Sequence, residues 1–297
     1  MTILHVYLPS PMRQHAEAGQ VNIFNRIAAA VAPAGWRLAF HCDGQGELEA
    51  AQGYCLFHMT EPRRAGTLCI RRAYHYPFWQ VEDTNERWRF DVARATFNPW
   101  DIDPVAARAF ARRWRDKLIG TAPATRDGFI FMPLQGRLAE HRSFQSASPL
   151  AMIAATLAAD PIRPIRATLH PNEGYSDADR AALADLSRRF PRFQVVNGDS
   201  MALLLACDYV VTQNSSMAMT GFFAEKPSVT FAGIDFHHIT GSVPRDGLDL
   251  AFAHAKGANP DFAAYLFWFF RQNTVNGGAS DAEDRILARF RRFGWPL

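Results

Sequence analysis

The sequence has no apolar run approaching the roughly 18 residues that a membrane-spanning helix needs, so any membrane contact is expected to be peripheral. It has no basic leader followed by an apolar core and a cleavage site; residues 1–9 read as a short strand rather than a signal peptide. Its four cysteines, Cys42, Cys55, Cys69 and Cys207, lie far apart, without a CxxC pair or a Cys/His metal spacing. Three of them sit in or beside apolar runs, where a buried free thiol is ordinary. The pattern fits a reduced, cytoplasmic setting, and neither metal nor cofactor is expected. There is no GxxxxGK[ST] phosphate loop and no GxSxG, and Gly44-Gln45-Gly46 lacks the third glycine of a GxGxxG. Internal repeats, low-complexity segments and long charge runs are also absent.

What is present is a chain of 297 residues, 48% hydrophobic, which can bury a sizeable core as one large or two modest domains. A net charge of +3 is too small to imply nucleic acid. Arginine far outnumbers lysine and clusters at Arg63-Arg64, Arg71-Arg72, 108–117 and 285–292. A guanidinium suits phosphate and carboxylate recognition, although solvated helix faces account for most such clusters.

Apolar runs alternate with helical patterns, which predicts βα units and parallel sheets. Strands are expected at 3–8, 36–41, 54–59 and 67–70, with helices at 20–32 and 103–119. After a Gly, Pro and Thr-rich linker at 120–128, strands are expected at 129–134, 165–169, 193–196, 209–212 and 228–231. Helices are expected at 149–159, 176–189, 200–206 and 216–224, then two more at 260–274 and 280–293. The expected organisation is an N-terminal Rossmann-like half (1–122, acceptor side) and a C-terminal one (123–258, nucleotide-sugar donor side). Two terminal helices (259–297) would pack back on the first half. The fold class is therefore α/β, GT-B-like, with two facing Rossmann-like halves and a cleft between them, where ligands meet the carboxyl ends of strands.

Residues that follow strands are the natural candidates for chemistry. His170, in TLHPNEG at the end of the 165–169 strand and held by Pro171, can offer an imidazole to a departing phosphate; a plain turn is an equal reading. In VVTQNSSMAMTG, Asn214, Ser215 and Ser216 open a helix, where free N–H groups and hydroxyls suit an anion, as they also suit ordinary capping. Gln135, Glu140 and His141 follow the 129–134 strand, and on their chemistry alone they read as a surface loop. In YHYPFWQVEDTNERW, aromatics interleaved with Glu82, Asp83 and Glu86 could form a sugar-stacking wall with a carboxylate, though a buried aromatic core is the more frequent meaning.

The order PLQ…EHRSF, LHP, DSMALLLACDYVVTQNSSMAMTGFFAEKPSVTFAG and the aromatic YLFWFFRQNTVNGG resembles the capsular polysaccharide biosynthesis proteins of the KpsS and KpsC type, over 129–278, about half the chain. The resemblance implies a GT-B fold and transfer of Kdo (3-deoxy-D-manno-octulosonic acid) from CMP-Kdo to a saccharide or lipid-linked acceptor at the inner face of the inner membrane. It makes His170, Pro171, Asn214, Ser215 and Ser216 donor ligands and lets Gln135 and His141 line the donor cleft; the catalytic candidates are His170, Glu82 and Glu140. HRSF stands where HSPF is usual, and the glutamate usual within the GFFAEKP helix is missing. Asp101-Ile102-Asp103 matches the DxD of a metal-dependent transferase class, but it precedes Pro104 at a helix start, where a cap is expected. A nucleotide-sugar 2-epimerase, a CMP-sialic acid transferase and a non-catalytic capsule-assembly protein are the alternatives. The basic 108–117 helix, with Phe110 and Trp114 on one face, is a candidate for docking on anionic lipid, against the blander expectation that both aromatics bury into the first half.

Overall fold

The computed structural model describes residues 2–297 and divides into two compact α/β units, Met1–Ala95 with Trp268–Leu297, and Thr96–Phe267. The first unit runs β1 (Thr2–Leu8), α1 (Ser10–Glu17), α2 (Asn22–Val31), β2 (Trp36–Cys42), α3 (Gln45–Ala50), β3 (Tyr54–His58), β4 (Thr67–Arg72), β5 (Phe78–Glu82) and α4 (Asp91–Arg94). The second runs α5 (Pro104–Leu118), β6 (Ile130–Leu134), α6 (Pro149–Ala159), β7 (Ile165–Leu169), α7 (Asp177–Arg189), β8 (Phe193–Val195), α8 (Ser200–Ala206), β9 (Tyr209–Thr212), α9 (Ser216–Phe222), β10 (Ser228–Thr230), β11 (Gly241–Ser242), α10 (Val243–Asp246), α11 (Leu248–Gly257) and α12 (Phe262–Leu266). The chain then returns to the first unit for β12 (Val275–Asn276) and α13 (Ala282–Arg292).

The first sheet has the order β12-β5-β4-β3-β1-β2. Its β1 to β4 pairings are parallel, whereas β5 and β12 are antiparallel additions at one side. Alternation along β1 sends Leu4, Val6 and Leu8 to one face, where they meet Leu56, Leu68 and Ile70 of the neighbouring strands. Helix α2 covers that face with Ile23, Phe24, Ile27, Ala30 and Val31, a stripe at helical spacing. Ile286 and Phe290 of α13 join the same core, and Arg26 of α2 pairs with Glu283 of α13 at 2.7 Å.

The second sheet has the order β11-β10-β9-β6-β7-β8, and every pairing in it is parallel. All five residues of β6 are buried, as expected of a strand covered on both faces. Local chemistry sets the helix starts. Ser176 and Asp179 form a reciprocal capping box on α7, and Ser148 caps α6. Asp103 caps α5 by accepting from the Val105 N–H at 2.8 Å, which gives the DxD run a structural purpose. Gly241 is required by proximity, because a Cβ there would lie 2.0 Å from the Ala251 carbonyl oxygen.

The division between the units falls at 95/96 rather than near residue 122. Helix α5 packs on α12 of its own unit, with Phe110 against Phe267 (centroids 5.7 Å apart) and Trp114 buried. Trp114 is therefore buried and Phe110 half-buried, but in the second unit and not the first.

Lys226 is buried within the second unit, and its ammonium donates to two main-chain carbonyls, those of Thr125 and Cys207. It ties the segment leading into β6 to the start of β9. Burial pulls its pKa below the usual lysine value. Lys226→Met keeps most of the volume but strands both carbonyls, so it should cost about 2–4 kcal/mol in denaturant unfolding. An unchanged midpoint would show that the lysine is not a tie.

Candidate active site

In a parallel sheet every strand ends at the same edge, and that edge of the second unit collects the sequence-derived candidates. Leu134 of β6 pairs with Leu169 of β7, so Gln135 and His170 leave the sheet side by side. On the other flank of β6, Phe131 pairs with Val210 of β9, and the Thr212 hydroxyl donates to the Pro133 carbonyl at 3.3 Å. Continuing that register sets Asn214 beside Gln135. With neighbouring strands about 4.8 Å apart, His170, Gln135 and Asn214 form a row whose outer backbone positions lie about 10 Å apart. Side chains from that row can meet on one phosphate-sized group.

His170 is exposed and its backbone is fixed. The Tyr175 hydroxyl accepts from the His170 N–H at 2.8 Å and donates to the Leu134 carbonyl at 3.3 Å, fastening the two strand ends together. The Asn172 N–H points at His170 Nδ1 at 3.2 Å. A backbone N–H can only donate, so Nδ1 accepts and the proton of the neutral ring sits on Nε2. The imidazole thus presents an N–H donor from its far side. Pro171 follows it, exposed, as the loop begins.

Ser215 is the N-cap of α9. Its hydroxyl accepts from the Met217 N–H at 3.3 Å, and its own N–H is held by Thr212 Oγ1. Ser216 is the first helical residue and is exposed, while Asn214 is half-buried. Gln135 is half-buried, and its Oε1 has no partner among the described residues. The other two members of the PLQ…H segment have partners of their own. Glu140 is exposed and pairs with Arg137 at 3.4 Å. His141 donates through Nε2 to the Gln145 carbonyl at 2.7 Å, in a loop that bridges to Ala232 just beyond β10.

Glu82 belongs to the first unit. It is 3% exposed at the end of β5, pairs with Arg289 of α13 at 2.8 Å and accepts from the Asp91 N–H at 3.2 Å. Burial pushes its pKa up to about 7, and the nearby Arg289 cation only partly opposes that. Trp79 is also buried and packs on Phe24, so it offers no open stacking face. No group of three His, Cys, Asp or Glu side chains among the described residues is arranged to hold a metal ion.

Sequence reasoning missed Tyr175 and Gln213. The tyrosine lies five residues beyond His170 in the same loop, but nothing in its spacing reveals that it bridges two strands. Gln213 is 2% exposed, donates to the Ala147 carbonyl at 3.0 Å and keeps an Oε1 without a partner among the described residues. Its signal was a polar residue directly at a strand end.

Two Rossmann-like α/β units in one chain are the plan shared by GT-B glycosyltransferases and nucleotide-sugar 2-epimerases. No family model matches the sequence, and no curated protein matches it. Among solved structures, the chain is similar to the β-Kdo 2,7 transferase of KpsC from Thermosulfurimonas dismutans, at 14% identity, over 97% of this chain and 99% of that one, with a TM-score of 0.52. The β-Kdo 2,4 transferase of the same protein matches at 14% identity over 84% and 89%, with a TM-score of 0.42. The UDP-GlcNAc 2-epimerase of Methanocaldococcus jannaschii matches at 9% identity over 99% and 100%, at 0.34. At these identities the likeness to the first of them establishes the fold, and activity has to be argued from the site.

The buried Glu82 makes a prediction about pH. Its folded pKa of about 7 lies above the ordinary value of 4.5. Between those values the unfolded chain releases the proton first, so this group lowers stability as pH rises from about 4.5 to about 7. Glu82→Gln removes that loss. Its melting temperature relative to wild type should climb across this window, by the equivalent of about 1–3 kcal/mol. A difference that stays flat from pH 5 to 7.5 would place the titration elsewhere.

Proposed function

We propose that the chain is a glycosyltransferase that moves a Kdo-type sugar from a CMP-activated donor to a saccharide or lipid-linked acceptor in surface polysaccharide synthesis. The observation that carries this reading is the fixed tautomer of His170, which turns an Nε2–H donor outward on the edge shared with Gln135 and Asn214 to Ser216. The reaction breaks the bond between the anomeric carbon and the phosphate oxygen and forms one to an acceptor hydroxyl, which loses its proton. Charge develops on the departing monophosphate, and a preorganised N–H is most useful where charge appears. His170 would donate to that phosphate, Ser216 and the first turn of α9 would add donors, and Gln135 and Gln213 would offer acceptors to the rest of the nucleotide. We assign the donor to the second unit and the acceptor to the first. His141 and Glu140 are peripheral in this scheme, and Glu82, already committed to Arg289, serves the first unit rather than the donor.

His170→Ala should lower kcat with CMP-Kdo on the order of a hundredfold while leaving the fold intact by circular dichroism. Wild-type turnover by that variant would remove His170 from the mechanism, and absence of CMP binding in calorimetry would remove the donor assignment.

No helix among the described residues is long and apolar enough to cross a membrane. We infer a peripheral contact through α5, whose Arg108, Arg112 and Arg113 stay exposed while Trp114 is buried and Phe110 half-buried. Each basic residue near an anionic bilayer contributes about 1 kcal/mol. Sedimentation with anionic vesicles should show binding that weakens with salt and falls in Arg112→Glu/Arg113→Glu. No binding at low salt would favour a soluble saccharide acceptor.

A further inference from the structure

The first unit holds a cavity of about 180 Å³ that the proposed donor site does not use. It lies along the part of β5 that β12 leaves unpaired, because β12 pairs only with Phe78 and Trp79. Its polar lining includes Trp79, Glu82, Asp91, Asn273, Arg285 and Arg289. The exposed Gln272 and Ala288 also line it, so it opens to solvent.

Three features of the lining define what it can accept. First, its charges are already matched. Arg289 pairs with Glu82 at 2.8 Å and Asp91 at 2.9 Å, and Arg285 pairs with Asp281 at 3.0 Å. A charged ligand would bring an uncompensated charge into this balance. Second, the indole N–H of Trp79, a residue 1% exposed, has no acceptor among the described residues. A buried donor without a partner calls for one. Third, the volume falls below the roughly 300–1,000 Å³ of pockets for drug-sized ligands, which limits the occupant to a single small ring.

We propose that this cavity binds one neutral, hydroxyl-rich sugar residue of a saccharide. A hydroxyl both donates and accepts, so it can join carboxylate, guanidinium and amide partners without altering the charge. One hydroxyl oxygen would accept from the Trp79 N–H, and others would donate to Asp91 and Glu82. The Trp79 ring packs in the core against Phe24 and contributes its N–H rather than a stacking face. Preferring a saccharide to another neutral polyol rests on the transferase reading of the second unit.

The test is a titration of the full-length, ¹⁵N-labelled protein that follows the Trp79 indole resonance, assigned by its loss in Trp79→Phe. Glucose, galactose and N-acetylglucosamine are the neutral probes, with glycerol and glucuronate as controls. At least one neutral sugar should shift the resonance saturably, and Asp91→Asn should weaken that response about tenfold or more, as expected on losing a charge-assisted hydrogen bond. No saturable shift with any of the three up to about 100 mM, far above a millimolar Kd, would overturn the proposal. An equal response to glycerol, or a stronger one to glucuronate, would overturn it as well. CMP-Kdo turnover, measured on the same preparation, keeps the two readings separable. Sugar binding without turnover would defeat the transferase reading alone, and turnover without sugar binding would defeat this one alone.

Discussion

Parallel strands must all be left at the same edge of a sheet, because each return to the start of the next strand is made by a crossover connection on its face. In the second unit β6 is paired on both flanks, with β7 and with β9, and its five residues are all buried. The side chains of β6 are all buried, yet its two registers decide which residues emerge together. A slip of one residue would turn every side chain of the slipped strand to the opposite face and separate His170 from Asn214. The Thr212 hydroxyl on Pro133 and the Tyr175 hydroxyl between Leu134 and His170 hold those registers where the strands end, the point at which pairing alone no longer constrains the chain.

The first unit answers a different constraint. Its core face is closed by α2 and by α13, which arrives from the far end of the sequence. A helix joining so late has to be fixed in register, and Arg289 does this by serving the Val81 carbonyl, Glu82 and Asp91 at once. Burying Glu82 costs desolvation, which is why its proton is held so tightly, but removing either partner would leave a buried charge unmatched. The same arrangement leaves part of the β5 edge open beside α13, so the cavity and the helix tie have one origin.

Most strands were legible because buried parallel strands are short continuous apolar runs, as in IFMPL, YVVT and YCLFH. β5 was hidden by its composition. In FWQVE, Gln80 and Glu82 are buried polar residues, so neither an apolar run nor a clean polar alternation appears. α1, sequence SPMRQHAE, read as a loop because its proline and polar residues mask a helix with Pro near its start and a single buried residue. Strand ends pointed to His170 and to the Asn214 to Ser216 turn. Tyr175 and the link from Glu82 to Arg289 were beyond reach, since one joins two strands through a loop and the other spans 207 residues of sequence. The 95/96 division was hidden for a similar reason: α5 precedes the apparent linker, and only its packing on α12 assigns it to the second unit.

The motifs behind the family resemblance do not all speak to chemistry. In LHP the histidine turns outward with its Nδ1 engaged by the backbone, and in NSS one serine caps α9 while the next is exposed. In EKP, by contrast, Lys226 points inward and spends its ammonium on two carbonyls, and Gly221 in the same run lies within 3.3 Å, by its missing Cβ, of the Lys226 side chain. A relative sharing KP shares a way of closing this unit, whatever its donor. The strings in order thus weigh heavily for the fold and more lightly for the sugar, and in the proposed reading the part that bears on catalysis lies at the edge where β6, β7 and β9 end.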